Sequence, residues 1–106
     1  MDKDTFAQNL AFELKRREME KAELARQCGL SRAFIFEITR KKNPQNSSLD
    51  SATAIATTLK LPLFLFFLPS PLFQRVVSDL PENPKQKVTV AAVLKAVLGY
   101  YLRNNE

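Results

Sequence analysis

Apolar residues at the start of the chain recur at the spacing of an amphipathic α-helix. Phe6, Leu10 and Leu14 are four residues apart, which places them on one face of a helix over about residues 5–17. Asp4 can cap the start of this helix, because its carboxylate can accept hydrogen bonds from the free backbone N–H groups there. The pattern predicts a first helix with one buried face.

Two further helices follow, with a glycine between them. Residues 21–27 favour a short second helix, and Gly29 ends it because glycine readily adopts the left-handed conformation that closes a helix. Ser31 is a good N-cap for a third helix that runs to about residue 40. The sequence therefore predicts two helices joined by a tight turn.

The second half of the chain is richer in apolar residues and in proline. Ser48 can cap a fourth helix, and Pro62 can begin a short, apolar fifth helix that ends near Leu68. Prolines then interrupt the chain between residues 69 and 84, where no helix is predicted. Valines and leucines at helical spacing predict a terminal amphipathic helix over about residues 88–103. The core-facing stripe predicted for the fourth helix is Leu49, Ala52, Ile55 and Leu59.

Composition supports a single fold class. The chain has 106 residues with only two glycines and no tryptophan, and its long stretches of Ala, Leu, Glu, Lys and Arg favour helix over strand. A chain of this length can bury one modest hydrophobic core. We therefore expect an all-α protein.

Charge is distributed unevenly. The net charge is +5, with a sequence pI near 9.6. Residues 15–42 alone hold nine Lys and Arg against four Glu, so the whole excess can be placed around the first three helices. A basic region of this kind suits a polyanionic partner, although small proteins also carry such an excess simply to stay dispersed.

Cys28 is the only cysteine, and the chain has no histidine. An intrachain disulfide is impossible, and the usual zinc sites and imidazole catalysis are excluded. No glycine-rich phosphate loop is present either, so we expect neither enzyme activity nor a cofactor. Cys28 is interpreted as a small buried apolar residue. No apolar signal segment opens the chain, and the run at 61–68 is far shorter than the roughly 20 residues that span a bilayer, so a cytoplasmic protein without membrane contact is expected.

Residues 21–40 meet the steric requirements of a helix-turn-helix, with a small Ala25 where two helices cross closely and Gly29 in the turn. They resemble the helix-turn-helix of the Xre-like family, which includes phage Cro and repressor proteins. The likeness extends over residues 1–68, through the Asn-Pro linker and the segment LDSATAIATTLKLPLFLFF. It implies a five-helix, lambda-repressor-like domain over residues 1–68, with residues 69–106 as a C-terminal helical extension.

The resemblance also implies which side chains contact DNA. In this family the third helix lies in the major groove, and the start of the second helix contacts a phosphate, here through Lys21. Arg40 would lie at the edge of the groove, and Lys41 and Lys42 would add nonspecific attraction to phosphates. The residues implied to face the bases are Ser31, Arg32, Ala33, Phe36 and Glu37.

Helical geometry separates the two phenylalanines of the third helix. At about 100° per residue, Ile35 and Ile38 define the buried direction, Phe34 lies roughly 70° from it, and Phe36 lies roughly 130° from it. Phe34 is therefore expected at the edge of the core, whereas Phe36 is expected to be exposed and could contact a thymine methyl group or a second protein. Glu37 could accept a hydrogen bond from cytosine, or merely pair with Arg40 or Lys41.

Residues 61–73 hold more large apolar side chains than a short fifth helix can bury. Residues 88–103 could fold back and cover them within one chain, or two chains could share the surface, as the resemblance to a dimeric family implies. We expect dimerisation, with the terminal helix contributing. The residues predicted to mediate it are Phe64, Phe66, Phe67, Phe73, Val93, Val97 and Tyr101.

Together these features predict a sequence-specific transcriptional regulator, a repressor that binds a palindromic double-stranded DNA operator as a homodimer. An alternative is the antitoxin of a toxin–antitoxin pair, which would bind its partner protein through residues 61–106 and repress its own operon. A controller protein of a restriction-modification system is a further alternative. A toxin or an antirepressor is the protein partner that these alternatives allow.

Overall fold

The computed structural model describes residues 3–80 and 87–104, and these ranges form helices joined by turns and loops, without a strand. This confirms the all-α class. The elements are α1 (Lys3–Arg16), α2 (Lys21–Cys28), α3 (Arg32–Ile38), α4 (Leu49–Thr58), a 3₁₀ turn (Leu63–Phe67), α5 (Ser70–Ser78) and α6 (Val90–Asn104).

Serine side chains cap two of the helices where the sequence predicts them. The Ser31 hydroxyl accepts a hydrogen bond from the backbone N–H of Phe34 at 3.0 Å. The Ser48 hydroxyl accepts one from the N–H of Ser51 at 3.1 Å. Each bond satisfies an N–H group that has no partner within the first helical turn. The starts of α3 and α4 are therefore specified by local sequence.

The predicted fifth α-helix is a 3₁₀ turn. The N–H of Leu65 bonds to the carbonyl of Pro62 at 3.2 Å, and that of Leu68 to the carbonyl of Leu65 at 3.3 Å, both across three residues. Pro69 follows at once and disfavours helical backbone at the residue before it. The segment is too short to reach the longer α-helical hydrogen-bonding pattern, and the tighter turn forms instead.

Helix α5 lies in the region where proline was interpreted as an interruption. Pro71 is in its first turn, where a missing N–H costs nothing, and the N–H of Phe73 bonds to the carbonyl of Pro69 at 2.8 Å. The prolines therefore begin this helix rather than break it. Its buried residues are Leu72, Phe73, Val76 and Val77.

A cluster of phenylalanines crosses the predicted domain boundary at residue 68. The Phe66 ring lies 5.8 Å from that of Phe6 and 5.6 Å from that of Phe73, and Phe73 lies 6.2 Å from Phe12. All four belong to the core or pack against it. Helix α1 contacts both the 3₁₀ turn and α5, and α6 packs on α5. The hydrophobic core therefore continues past residue 68, because α5 contributes to the same core as α1.

Two polar side chains of α1 are fully buried. Asn9 donates hydrogen bonds from Nδ2 to the carbonyls of Phe66 and Leu68, both at 2.8 Å. Glu13 accepts from Arg17 Nε at 3.0 Å, and the same guanidinium donates to the carbonyl of Leu59 at 2.8 Å. These bonds join α1 to the ends of the 3₁₀ turn and α4.

The predicted stripe on α4 needs one correction. Ala52, Ile55 and Leu59 are buried, as expected, but Leu49 is 62% exposed. It is the first residue of the helix. The core does not extend that far along α4, so helical spacing alone overestimates the buried stripe.

Candidate nucleic-acid interface

Helices α2 and α3 form a closely packed pair around a turn at Gly29. This residue has a φ of 73° and a ψ of 23°, in the left-handed region that glycine adopts without strain. The N–H of Leu30 bonds back to the carbonyl of Ala25 at 3.1 Å, which closes the turn. Leu24 and Ala25 of α2 are buried in the same core as the inner face of α3. The packing therefore fixes which side of α3 faces outward.

The outward side of α3 contains the residues implied to read DNA. Ser31, Arg32 and Ala33 are exposed, and Phe36 is 46% exposed. Phe34, in contrast, is partly buried and packs against the core. The separation of the two phenylalanines by helical angle is confirmed.

Lys21, at the start of α2, lies against the exposed phenylalanine of α3. Its Nζ is 4.9 Å from the centroid of the Phe36 ring, within the distance of a cation–π interaction. With Arg32 these residues line an open groove of about 410 Å³, whose other side is formed by residues such as Lys15 and Met19. Three cations, together with Glu20, thus line the groove beside the exposed Phe36 ring.

Lys15 and Met19 were not among the candidate site residues. The basic run at the end of α1 suits the negative end of the helix dipole, and this local explanation gave no reason to place Lys15 beside α3. Its proximity to Arg32 depends on how α1 and α3 cross. Sequence spacing carries no signal for that arrangement.

Glu37 forms an ion pair with Arg40, which is one of the two roles that the sequence allows it. Its Oε2 is 3.0 Å from Nη2 of Arg40, and both side chains are partly exposed. Arg40 Nη2 also donates to the carbonyl of Asn43 at 3.3 Å. Arg40 therefore braces the loop that leaves α3, while part of its guanidinium still faces solvent.

The loop after α3 adds two exposed cations, Lys41 and Lys42. The loop is held by a bond from the N–H of Gln45 to the carbonyl of Glu37 at 3.0 Å, and by one from Lys3 Nζ to Asn43 Oδ1 at 3.1 Å. Cationic side chains therefore extend from the groove past the end of α3.

Helix α2 carries an ion pair of its own. Glu23 accepts hydrogen bonds from Arg26 and Gln27, and these bonds hold the pKa of its carboxyl at about 2. Glu23 therefore stays ionised at neutral pH and pairs with Arg26, whereas Lys21, the other cation of α2, lies over the Phe36 ring of α3.

Cys28 is half-buried, so it is less enclosed than the sequence interpretation assumed. Partial burial raises the pKa of its thiol, because a thiolate is disfavoured away from water. The thiol is therefore protonated at neutral pH. Its Sγ lies 3.9 Å from the carbonyl oxygen of Ala25 in its own helix.

The residues predicted to mediate dimerisation divide into two groups. Phe66, Phe73 and Val93 are fully buried within the chain, so their assignment to an interface is wrong. The reason is that the Phe66 and Phe73 rings pack on each other and on phenylalanines of α1, and Val93 belongs to the same core. Phe67 and Val97 are partly buried. Phe64 and Tyr101 are exposed.

Comparisons with known protein families, with characterised proteins and with solved structures found no match. Over the described part of the chain, no helix has both the length and the apolar character needed to cross a membrane. In the same residues no group of acidic or cysteine side chains is arranged to hold a metal ion.

Proposed function

We propose that this protein is a sequence-specific DNA-binding transcriptional regulator that inserts α3 into the major groove of a palindromic operator and acts as a homodimer. The observation that carries the proposal is the outward face of α3, where Arg32 and the exposed Phe36 adjoin Lys21. An α-helix fits the width of the major groove. A fixed helix with a cationic and aromatic outer face suits that role.

Each exposed side chain of this face has a defined chemical task. Arg32 donates two hydrogen bonds to guanine, in the geometry that a guanidinium matches best. Phe36 packs against the methyl group of thymine. The Ser31 hydroxyl oxygen accepts the capping hydrogen bond from the N–H of Phe34, and the hydroxyl proton can still be donated to a base or a phosphate. Ser31, Arg32 and Phe36 thus read the sequence.

The cations around α3 bind the backbone of the duplex. Lys21 is held over the Phe36 ring, on the α2 side of the groove, and contacts a phosphate there. Arg40, Lys41 and Lys42 are exposed at the other end of α3. Phosphate contacts at both ends of a helix set its register on DNA without reading bases.

Replacing Arg32 or Phe36 with alanine is expected to relax base preference at one position in each half-site. Arg32→Ala removes the two hydrogen bonds to guanine, so the free energy of binding to the preferred site should weaken by about 1–3 kcal/mol. Lys42→Ala should weaken all sequences about equally, because phosphates are the same in every sequence. Selection of bound sequences from a random pool of duplex DNA, repeated with each variant, measures these effects.

Arg75→Ala is the matched control, because Arg75 is an exposed arginine on α5, outside the helical pair. It should leave the selected sequence unchanged. Absence of any enriched sequence with the wild-type protein would exclude sequence-specific recognition. Affinity for the selected site that does not fall with added salt would contradict the phosphate contacts.

A further inference from the structure

Helix α6 exposes a continuous apolar surface, which we call the outer arc. Its five residues are each at least half exposed, although all are large and apolar. The adjacent side of the same helix packs on the protein through the fully buried Val93 and the partly buried Val97 and Tyr100. The outer arc consists of Val90, Leu94, Leu98, Tyr101 and Leu102.

The outer arc is wide and lies beside the packed side of the helix. At about 100° per residue its members span roughly 120°, and Val97 links it to the buried side. A helix that is apolar nearly all round is usually covered on all sides. Helix α5 packs on one side of α6, and within residues 3–80 and 87–104 the outer arc stays at least half exposed.

We propose that the outer arc packs against the outer arc of a second copy of this chain, forming a symmetric dimer. Such a dimer places two α3 helices in one molecule, as the proposed reading of a palindrome requires. The association itself needs no DNA. It can therefore be tested, and can fail, separately from the proposed function.

The spacing along the arc suits pairing with an identical helix. Leu94, Leu98 and Tyr101 of the outer arc follow intervals of four and three residues, and the exposed Ala91 lies three residues before Leu94. These are the intervals of the apolar seam through which two helices pack in a coiled coil. A second copy presents the same apolar seam, so the side chains of each helix can pack between those of the other, as knobs into holes.

Charge also favours a second copy. The outer arc contains no charged side chain, whereas the chain as a whole carries +5, so copies that met through their basic surfaces would repel each other. The two charged residues of α6 are Lys95 and Arg103, and Arg103 is paired with Asp79 at 2.7 Å. Helices that bind anionic membranes carry a fringe of many Lys and Arg, which α6 lacks.

The area of the arc is adequate for association. Its five side chains expose roughly 500 Å² in one chain, in the upper part of the range for the largest apolar patch on a monomer. Two copies packed through it bury about 1,000 Å² in total, the lower bound for a specific interface. The proposal therefore specifies a dimer that dissociates on dilution.

Sedimentation equilibrium of the full chain without DNA, from about 1 to 100 µM, tests the proposal. The wild-type protein should approach twice the 12.1 kDa mass of one chain as its concentration rises. Leu98→Glu should raise the dissociation constant of the dimer at least about 100-fold, because it buries a carboxylate without a partner. Leu94→Lys tests the same surface one turn away, with the opposite charge, should the first variant not fold.

Leu49→Glu is the matched control, because Leu49 is a leucine of α4 with the same 62% exposure as Leu98. It should dimerise like the wild type, and circular dichroism should show equal helix content in all variants. A wild-type mass of 12.1 kDa at every concentration would overturn the proposal, and a different protein would then be the candidate partner of the outer arc. Monomeric protein that floats with phosphatidylglycerol vesicles would overturn it in favour of a membrane surface. Equal dimerisation of the Leu98→Glu and wild-type proteins would also overturn it.

Discussion

Phe73→Ala is expected to lower the free energy of unfolding by about 3–5 kcal/mol, the usual cost of removing a buried phenylalanine side chain. Phe73 is fully buried, and its ring contacts those of Phe66 and Phe12. The substitution leaves a cavity between α1, α5 and the 3₁₀ turn. Urea unfolding followed by circular dichroism measures the loss.

The same experiment tests whether residues beyond 68 belong to the main core. If they do, the variant unfolds in one transition at a lower urea concentration, because α1 loses packing along with α5. Phe64→Ala is the control, since Phe64 is 38% exposed and its removal should cost about 1 kcal/mol. A variant in which most of the helical signal keeps the wild-type midpoint would show that α5 folds separately.

Asn9→Asp is expected to cost about 3–5 kcal/mol at pH 7, although the two side chains have nearly the same shape. The Asn9 amide donates to two carbonyl oxygens at 2.8 Å in a fully buried site. The substitution puts a carboxylate oxygen against these two acceptors and leaves both unpaired. Urea unfolding at pH 7 measures the difference from the wild type.

The cost of Asn9→Asp should shrink as the pH falls. Burial without a donor raises the pKa of the introduced carboxyl above the value of about 3.9 in the unfolded chain. Protonation in the folded state then removes the buried charge and restores one donor. Gln8→Glu is the control, because Gln8 is exposed and its Oε1 only accepts, from Ser70 Oγ at 2.9 Å. A cost for Asn9→Asp that equals the control value would refute the donor role of Asn9.

Local signals in the sequence were sufficient for α1 to α4. The predicted first helix over residues 5–17 lies within two residues of Lys3–Arg16, and both serine caps form. Helical angles also separated Phe34 from Phe36. These features depend on spacing and on backbone groups a few residues away, which the sequence shows directly.

Helix α5 was missed although its apolar spacing was visible. Leu72, Phe73, Val76 and Val77 repeat at four-residue intervals, and this signal could have found the helix. Pro69 and Pro71 were interpreted as an interruption, because the residues alone do not show whether a proline ends one helix or begins the next. The assignment of Phe66 and Phe73 to a dimer interface followed from this omission.

The buried polar side chains of α1 depend on partners that are far away in the sequence. Asn9 bonds to carbonyls 57 and 59 residues further on, and Arg17 bonds to Leu59 across 42 residues. Nothing within the first helix distinguishes these side chains from solvent-exposed ones. The groove beside α3 was missed for the same reason, since Lys15 reaches it only through the tertiary fold.

The core is continuous from α1 to α6, and this continuity bears on the proposed binding of DNA. Val93 anchors α6 in the same core that holds Ile35 and Ile38 of α3, so a packed body of 45 Å in its longest dimension connects α3 to the outer arc. In a dimer formed through that arc, packing sets the separation between the two recognition helices. Inserting about five base pairs between the two half-sites rotates one half-site to the opposite side of the duplex. The second α3 helix of such a dimer would then not reach it, and binding should weaken.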